Sequence, residues 1–281
     1  MSSPEQELAA LESGARRVET PCGQGVMVWR VWGEGPALVL GHGGQGTWSH
    51  WLRNIDALSA HYTVIVPDLP GHGESAMPDM VDHDTISAAL AGGIRTLLGE
   101  GEKGTFVGFS FGGSVFTHFA ARYPELVHRV VIVGTGGLDT PHGHIDLGRV
   151  GGLEGEERRA AIKRNLLGLM LHHDDTVDEM AMHLLIANGR AARLPVIDLV
   201  IPDKVLNVLP RLKVPLDAIW GEFDRPHPDP ALQESVLRRL QPDMDFRVIA
   251  GAGHWAMYER PEAFNAAVLD LLRRPPREIA P

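Results

Sequence analysis

A single cysteine, Cys22, in 281 residues excludes an internal disulfide and the cross-linked scaffold of small secreted domains. Cys22 sits in a Pro/Gly-flanked N-terminal segment, a poor setting for a nucleophile. Basic side chains are in deficit: 26 Lys and Arg face 36 Asp and Glu, for a net charge of −10. Nucleic acid and anionic membrane surfaces both need a basic face, so neither is expected as a partner. No stretch approaches the roughly 18 to 20 apolar residues that cross a bilayer. The first 17 residues are polar and acidic, with no apolar run of signal-peptide length. Internal repeats and low-complexity tracts are missing too. A soluble, cytoplasmic protein is expected, with a homodimer left open.

Hydrophobic content of 44% and charged content of 22% suit one large domain, or a domain with an insertion, around a full core. Val26–Trp32 alternates in part, as an antiparallel strand near a sheet edge does. The continuous apolar run at 37–40 reads as a strand covered on both faces, and the largely apolar stretches at 63–66, 105–109, 129–134, 216–221 and 246–250 read as further strands. Helical spacing is found over 48–58, 83–98, 114–122, 231–240 and 262–272. Strands alternating with helices predict an α/β fold, a mostly parallel central sheet with helices on both faces. The alternation breaks once, where helical patterns at 156–171, 177–190 and 202–209 replace strands. The expected division is therefore core over 1–137, helical cap over 138–212 and core again over 213–281, with His142-Gly143-His144 and Gly151-Gly152 as flexible entry.

Chemistry centres on Gly108-Phe109-Ser110-Phe111-Gly112, a Gly-x-Ser-x-Gly between a strand and a helix. A sharp strand-to-helix turn would expose the Ser110 hydroxyl above the sheet. It would also set the Phe111 N–H, at the helix N-terminus, to bind an oxyanion. A serine nucleophile needs a base, and the base an orienting acid. Ligand sites of α/β sheets collect at strand ends, where Asp224 and His254 follow the strands at 216–221 and 246–250. Glu222 and Asp217 are weaker substitutes for the acid. Metal or dinucleotide chemistry is not expected, and no cofactor is. Adjacent residues in His172-His173-Asp174-Asp175 point different ways on a helix, and Gly43–Gly46 lacks the G-x-G-x-x-G spacing. Trp48 and Trp51 are read equally as core or pocket wall.

From about Val26 to Leu272 the chain resembles the α/β-hydrolase family. Five elements carry the resemblance: His42-Gly43-Gly44-Gln45-Gly46, Asp68-Leu69-Pro70-Gly71-His72-Gly73-Glu74-Ser75, the serine elbow, Gly221-Glu222-Phe223-Asp224, and Gly253-His254-Trp255 with Glu259-Arg260-Pro261-Glu262. The resemblance implies Ser110 as nucleophile, His254 as base and Asp224 as its orienting acid. Phe111 with Gly44, or Gly43 in its place, would form the oxyanion hole. His42 would hold that loop and border the substrate, and Asp68 and Ser75 would organise a turn.

In layout the chain is most similar to the meta-cleavage product hydrolases, which cut a carbon–carbon bond, and to carboxylesterases. Trp255 after His254 resembles the former, as does Gly189-Arg190, where a cap arginine would receive a substrate carboxylate. Phe109 departs from the polar residue that group carries before its nucleophile, and suits an apolar acyl pocket. Three expectations follow in order: hydrolysis of a small, largely apolar carboxylic ester by a Ser-His-Asp triad; carbon–carbon hydrolysis of vinylogous 1,5-diketones; and a ligand-binding protein of weak activity.

Overall fold

Apolar runs form the strands of one sheet in the computed structural model, which describes residues 2–274. Helix α1 (Pro4–Ser13) leads into the antiparallel hairpin of β1 (Arg16–Cys22) and β2 (Gly25–Trp32). Next come β3 (Ala37–Gly41), α2 (Ile55–Ser59), β4 (Thr63–Pro67), α3 (His83–Leu98), β5 (Gly104–Phe109), α4 (Phe111–Arg122) and β6 (Val127–Val133). Helices α5 (Gly155–Asn165), α6 (Glu179–Ala191) and α7 (Lys204–Val208) follow, with no strand among them in the described residues. The chain then re-enters the sheet through β7 (Leu216–Gly221), α8 (Pro230–Arg238), β8 (Phe246–Ile249), α9 (Ala256–Glu259) and α10 (Pro261–Arg273). The eight strands lie in the order β1-β2-β4-β3-β5-β6-β7-β8. Only the β1–β2 and β2–β4 pairs are antiparallel.

Successive strand residues point to opposite faces, and the core divides accordingly. Val39, Phe106, Val130, Ile132 and Trp220 pack on one side with Ile86, Leu90 and Ile94 of α3 and Phe116 and Phe119 of α4. Leu40, Val66, Val107, Val131 and Ile219 pack on the other with Phe264, Val268 and Leu271 of α10. Residues of the inserted helices join both clusters, among them Val205 on the first side and Leu166 and Leu184 on the second. That packing seats the insertion against the core.

Four local expectations change. The polar N-terminus forms α1 and β1. Ser3 caps α1 through a reciprocal Ser3–Gln6 box, with Pro4 in the first turn. No residue of α1 is buried, so burial periodicity could not reveal it. The helix expected over 48–58 splits into a 3-10 turn at Trp48–Trp51 and α2. Asn54 interrupts it, its buried amide donating to Met257 O at 3.0 Å and Asn265 Oδ1 at 2.9 Å. The helix expected over 156–171 changes at Leu166 into a wider π turn. Trp48 and Trp51 are core, packing at a tilt against Trp32 and Phe264.

Backbone contact between α4 and β3 tests this packing. A Cβ on Gly112 would lie 2.6 Å from Gly41 O and 2.7 Å from His42 O, atoms of backbone that cannot yield cheaply. Gly112→Ala should cost about 1–3 kcal/mol of stability. Gly92→Ala, in α3 with nothing within 4 Å, should add about 0.5–1 kcal/mol. Urea midpoints measure both, and equal midpoints for the two variants would contradict the close approach.

Candidate active site

Ser110 stands between β5 and α4 with φ 51° and ψ −113°. Among the described residues only Ser110 and Asp139 are non-glycine with positive φ, a conformation costing about 1–3 kcal/mol. Surrounding backbone holds it there: the Ser110 N–H donates to Val133 O at 2.8 Å. Glycine is required beside it, since a Cβ on Gly108 would lie 2.5 Å from the Gly112 carbonyl. The turn sets the Ser110 side chain at the wall of a cavity of about 350 Å³.

Asp224 lies in the loop after β7 and is fully buried. Its Oδ2 accepts the Nδ1–H of His254 at 2.8 Å, and its Oδ1 accepts the His227 N–H at 2.9 Å. Burial alone would raise the Asp224 pKa, but the facing His254 and His227 outweigh it and hold the carboxyl well below the usual carboxylate range. Three strand ends meet here. Gly134, after β6, has φ +49°, and a Cβ on it would reach 2.7 Å from Asp224 Oδ2 and 3.1 Å from His254 Nδ1. A Cβ on Gly221 would lie 2.0 Å from Gly253 O, so the β7 and β8 loops touch through backbone. His254 and Ser110 line the same cavity. With Nδ1–H committed to Asp224, the His254 Nε2 is left with a lone pair that can take a hydroxyl proton.

Gly43, Gly44 and Phe111 also line the cavity. The Gly43 N–H donates to His50 Nδ1 at 3.3 Å, and the Gly44 carbonyl accepts from His72 Nε2 at 2.9 Å. Of the two glycines, Gly43 therefore has its donor committed. His50 was not singled out in the sequence. It is buried against the rings of Trp255 and Phe109, at 4.9 and 5.7 Å between centroids. Its pKa is pushed down to about 3, by burial first and then by His254 and His72.

Phe109 and Trp255 line the cavity as expected. Two expected substrate contacts do not. His42 is wholly buried and outside the lining, with Nε2 accepting the Leu69 N–H at 2.9 Å and Nδ1 2.8 Å from Gly43 O. Both ring nitrogens are used by backbone, so His42 holds the loop and nothing else. Arg190 is exposed on the outer face of α6. It shares an outer groove with His183, Ile186 and Ala187, while Leu184 and Leu185 face the cavity. Helical periodicity thus turns residue 190 away from Ser110. The expected turn residues are in place: Ser75 Oγ donates to Asp68 O at 2.5 Å and accepts from the Val28 N–H at 2.9 Å.

Two more residues had no role read from the sequence. His227 lines the cavity beside Asp224; its only signal was its position three residues after the acid. Glu259, buried beneath the His254 loop, accepts N–H groups from Gly253 at 2.6 Å, His172 at 2.9 Å and His173 at 2.7 Å, and the Thr176 hydroxyl at 2.9 Å. It ties that loop to the inserted segment.

The sequence model described as "Alpha/beta hydrolase family" matches residues 38–267. The chain is 33% identical to a 2-hydroxy-6-oxononadienedioate/2-hydroxy-6-oxononatrienedioate hydrolase of Burkholderia vietnamiensis, over 85% of this chain and 87% of that one. It is 31% identical to a 2-hydroxy-6-oxo-6-phenylhexa-2,4-dienoate hydrolase of Burkholderia cepacia, over 85% and 88%. The fold is similar to that of naproxen esterase from Bacillus subtilis, with a TM-score of 0.75, 19% identity, and coverage of 96% of each chain.

Two expectations follow from this geometry. Arg190→Ala should leave KM for carboxylate-bearing substrates within about twofold of the wild type, since the residue faces outward; a tenfold rise, about 1.4 kcal/mol of lost binding, would bring it back to the site. The second concerns pH. His50 has a folded pKa near 3 against an ordinary 6.5, so below 6.5 the unfolded chain takes up a proton that the folded chain does not. Stability is lost from about 6.5 down to about 3, on the order of 2 kcal/mol by pH 5 from His50 alone. His118, also pushed down to about 3 by burial and then His83, adds in the same direction. Asp224, lowered from 3.8, stays ionised in both states at pH 5 and contributes no change there. Urea unfolding should show a clear loss between pH 7 and pH 5; a flat profile would mean these imidazoles are solvated.

Proposed function

The chain belongs to the alpha/beta hydrolase family and is a hydrolase, and we propose that it is a serine hydrolase of small, largely apolar, uncharged carboxylic esters. One observation carries the choice of substrate. Among the described residues, the lining of the Ser110 cavity contains no Lys, Arg, Asp or Glu; it is apolar apart from Ser110, Gln45 and imidazoles. A volume of about 350 Å³ suits a small ligand.

In this reading Ser110 Oγ attacks the ester carbonyl while His254 Nε2 takes its proton. The Phe111 and Gly44 N–H groups receive the negative oxygen; one such donor lowers the barrier by about 2.7–4 kcal/mol. His254 returns the proton to the alkoxide, the alcohol leaves, and water repeats the sequence on the acyl-enzyme. Asp224 keeps the imidazole in the tautomer with Nε2 free and stabilises the transient imidazolium. Residues 138–212 act as a cap: Ile145, Leu166, Met170, Leu184, Val196 and Ile197 close the cavity over Ser110 and shield the acyl-enzyme from bulk solvent.

A second reading, carbon–carbon hydrolysis of vinylogous 1,5-diketones, is favoured by the names of the two Burkholderia relatives. Against it stand the outward Arg190 and Phe109, whose ring has no donor for a substrate oxygen. Turnover decides. p-Nitrophenyl butyrate should be hydrolysed with kcat/KM well above that for a dienoate diketone; the reverse order would replace the first reading by the second. Ser110→Ala should lower kcat by about 10⁴-fold or more and abolish labelling by a fluorophosphonate. Labelling that persists in the variant would remove Ser110 from the nucleophile's place.

A further inference from the structure

Asp224 serves two imidazoles. Beyond its bond to His254, its Oδ1 lies 3.3 Å from His227 Nδ1. That nitrogen is buried and makes no hydrogen bond among the described residues, although the His227 side chain is only 6% exposed. One carboxylate oxygen and the two imidazole nitrogens lie within 4.8 Å of one another, all in buried residues. Two histidines and one carboxylate are the donor set of many zinc sites that keep a fourth position open. His227 and His254 border the cavity, which gives an ion a way in and a water its place. Zinc–ligand distances of about 2.0–2.2 Å require donors roughly 3.3 Å apart, and the two imidazole Nδ1 atoms already lie 2.8 and 3.3 Å from the Asp224 oxygens.

We infer that Asp224, His227 and His254 form an inhibitory site for a divalent transition-metal ion of the zinc type. The ion accepts the Nδ1 lone pairs of both histidines and one Asp224 oxygen. In His254 the proton moves from Nδ1 to Nε2, so the neutral ring is conserved but its free lone pair now faces the metal. Nε2, carrying hydrogen, cannot take the Ser110 proton, and turnover stops until the ion leaves. The ion is not a cofactor: it competes with the His254–Asp224 bond that the proposed reaction needs. The inhibition rests on the proposed role of His254, whereas the binding does not.

Equilibrium dialysis with Zn²⁺ against the unmodified protein, Ser110→Ala and His227→Leu separates the two. One equivalent should bind to the unmodified protein and to Ser110→Ala, and the ester hydrolysis rate of the former should fall with the same midpoint and recover with EDTA. His227→Leu should bind at least about tenfold more weakly, its inhibition being scaled to its own zinc-free rate. Co²⁺ added to the unmodified protein should give the intense visible absorption of a four-coordinate ion, a readout that needs no variant to fold. Equal zinc affinity in His227→Leu, a Co²⁺ spectrum of the pale six-coordinate kind, or binding that leaves the rate unchanged would each overturn the inference. Turnover that survives in Ser110→Ala would instead overturn the mechanism and leave the binding result standing.

Discussion

A carboxylate with no access to water sets the terms for this end of the molecule. An ion of that size taken from water to a low-dielectric interior loses several kcal/mol of solvation even after relaxation, so Asp224 can remain ionised only where donors converge on it. They come from two directions, the His227 backbone N–H and the His254 ring. Each has to arrive at a fixed distance. The glycines at the strand ends make this feasible: Gly134 lies beneath the pair, and Gly221 lets the β7 loop press against Gly253. A methyl group at either place would press Asp224 and His254 apart. The parallel sheet matters because it ends β5, β6, β7 and β8 on the same side, so residues more than a hundred positions apart meet over one edge.

Glu259 extends the same logic from Asp224 and His254 to the insertion. Its oxygens collect the N–H groups of Gly253, His172 and His173, joining the loop that carries His254 to the segment after α5. The Trp255 N–H adds to this by donating to Met170 O at 2.7 Å. On the opposite side Asn188 of α6 accepts from the Thr47 and Ser49 hydroxyls at 3.0 and 3.2 Å, next to the glycine loop. The wall over the cavity is thus bonded to the His254 loop on one flank and to the segment after Gly43–Gly46 on the other. Movement of the inserted helices would reach both, which couples the shape of the pocket to the geometry of the His254–Asp224 pair.

Legibility in the sequence followed the range of the interaction. Strands β3 to β7 are largely apolar stretches, and their burial writes them directly into composition. Ser110, Asp224 and His254 sit in turns whose glycines and chain order are local patterns. Helix α1 and strand β1 were not legible because they bury little and are held by edge pairing and by single tethers, such as Trp32 Nε1 to Leu11 O at 3.0 Å. The break at Asn54 depends on partners more than two hundred residues away. Arg190 shows the limit from the other side. Its helix was expected correctly, but which face of that helix meets the core is decided by packing, and one position along the helix turns a side chain by about 100°. His50 and His227 carry no pattern of their own; only the folded backbone shows that one reads the Gly43 N–H and the other shares an acid.

His50 also limits what the cavity can hold. His50 accepts the Gly43 N–H through Nδ1, so in its neutral form its proton resides on Nε2. Burial keeps it neutral far below neutral pH. It can offer a hydrogen bond but no charge, and no Lys or Arg stands in the lining among the described residues. A carboxylate entering such a space would give up its water for largely apolar walls with no Lys or Arg to pair with, a loss that single hydrogen bonds recover only in part. An uncharged ester gives up far less on entry and, in the proposed reaction, develops negative charge on one oxygen only, beside Phe111 and Gly44 of the lining. The selectivity proposed for this pocket therefore comes from where charge can be tolerated: at the oxyanion, in the transition state, and nowhere else along the bound substrate.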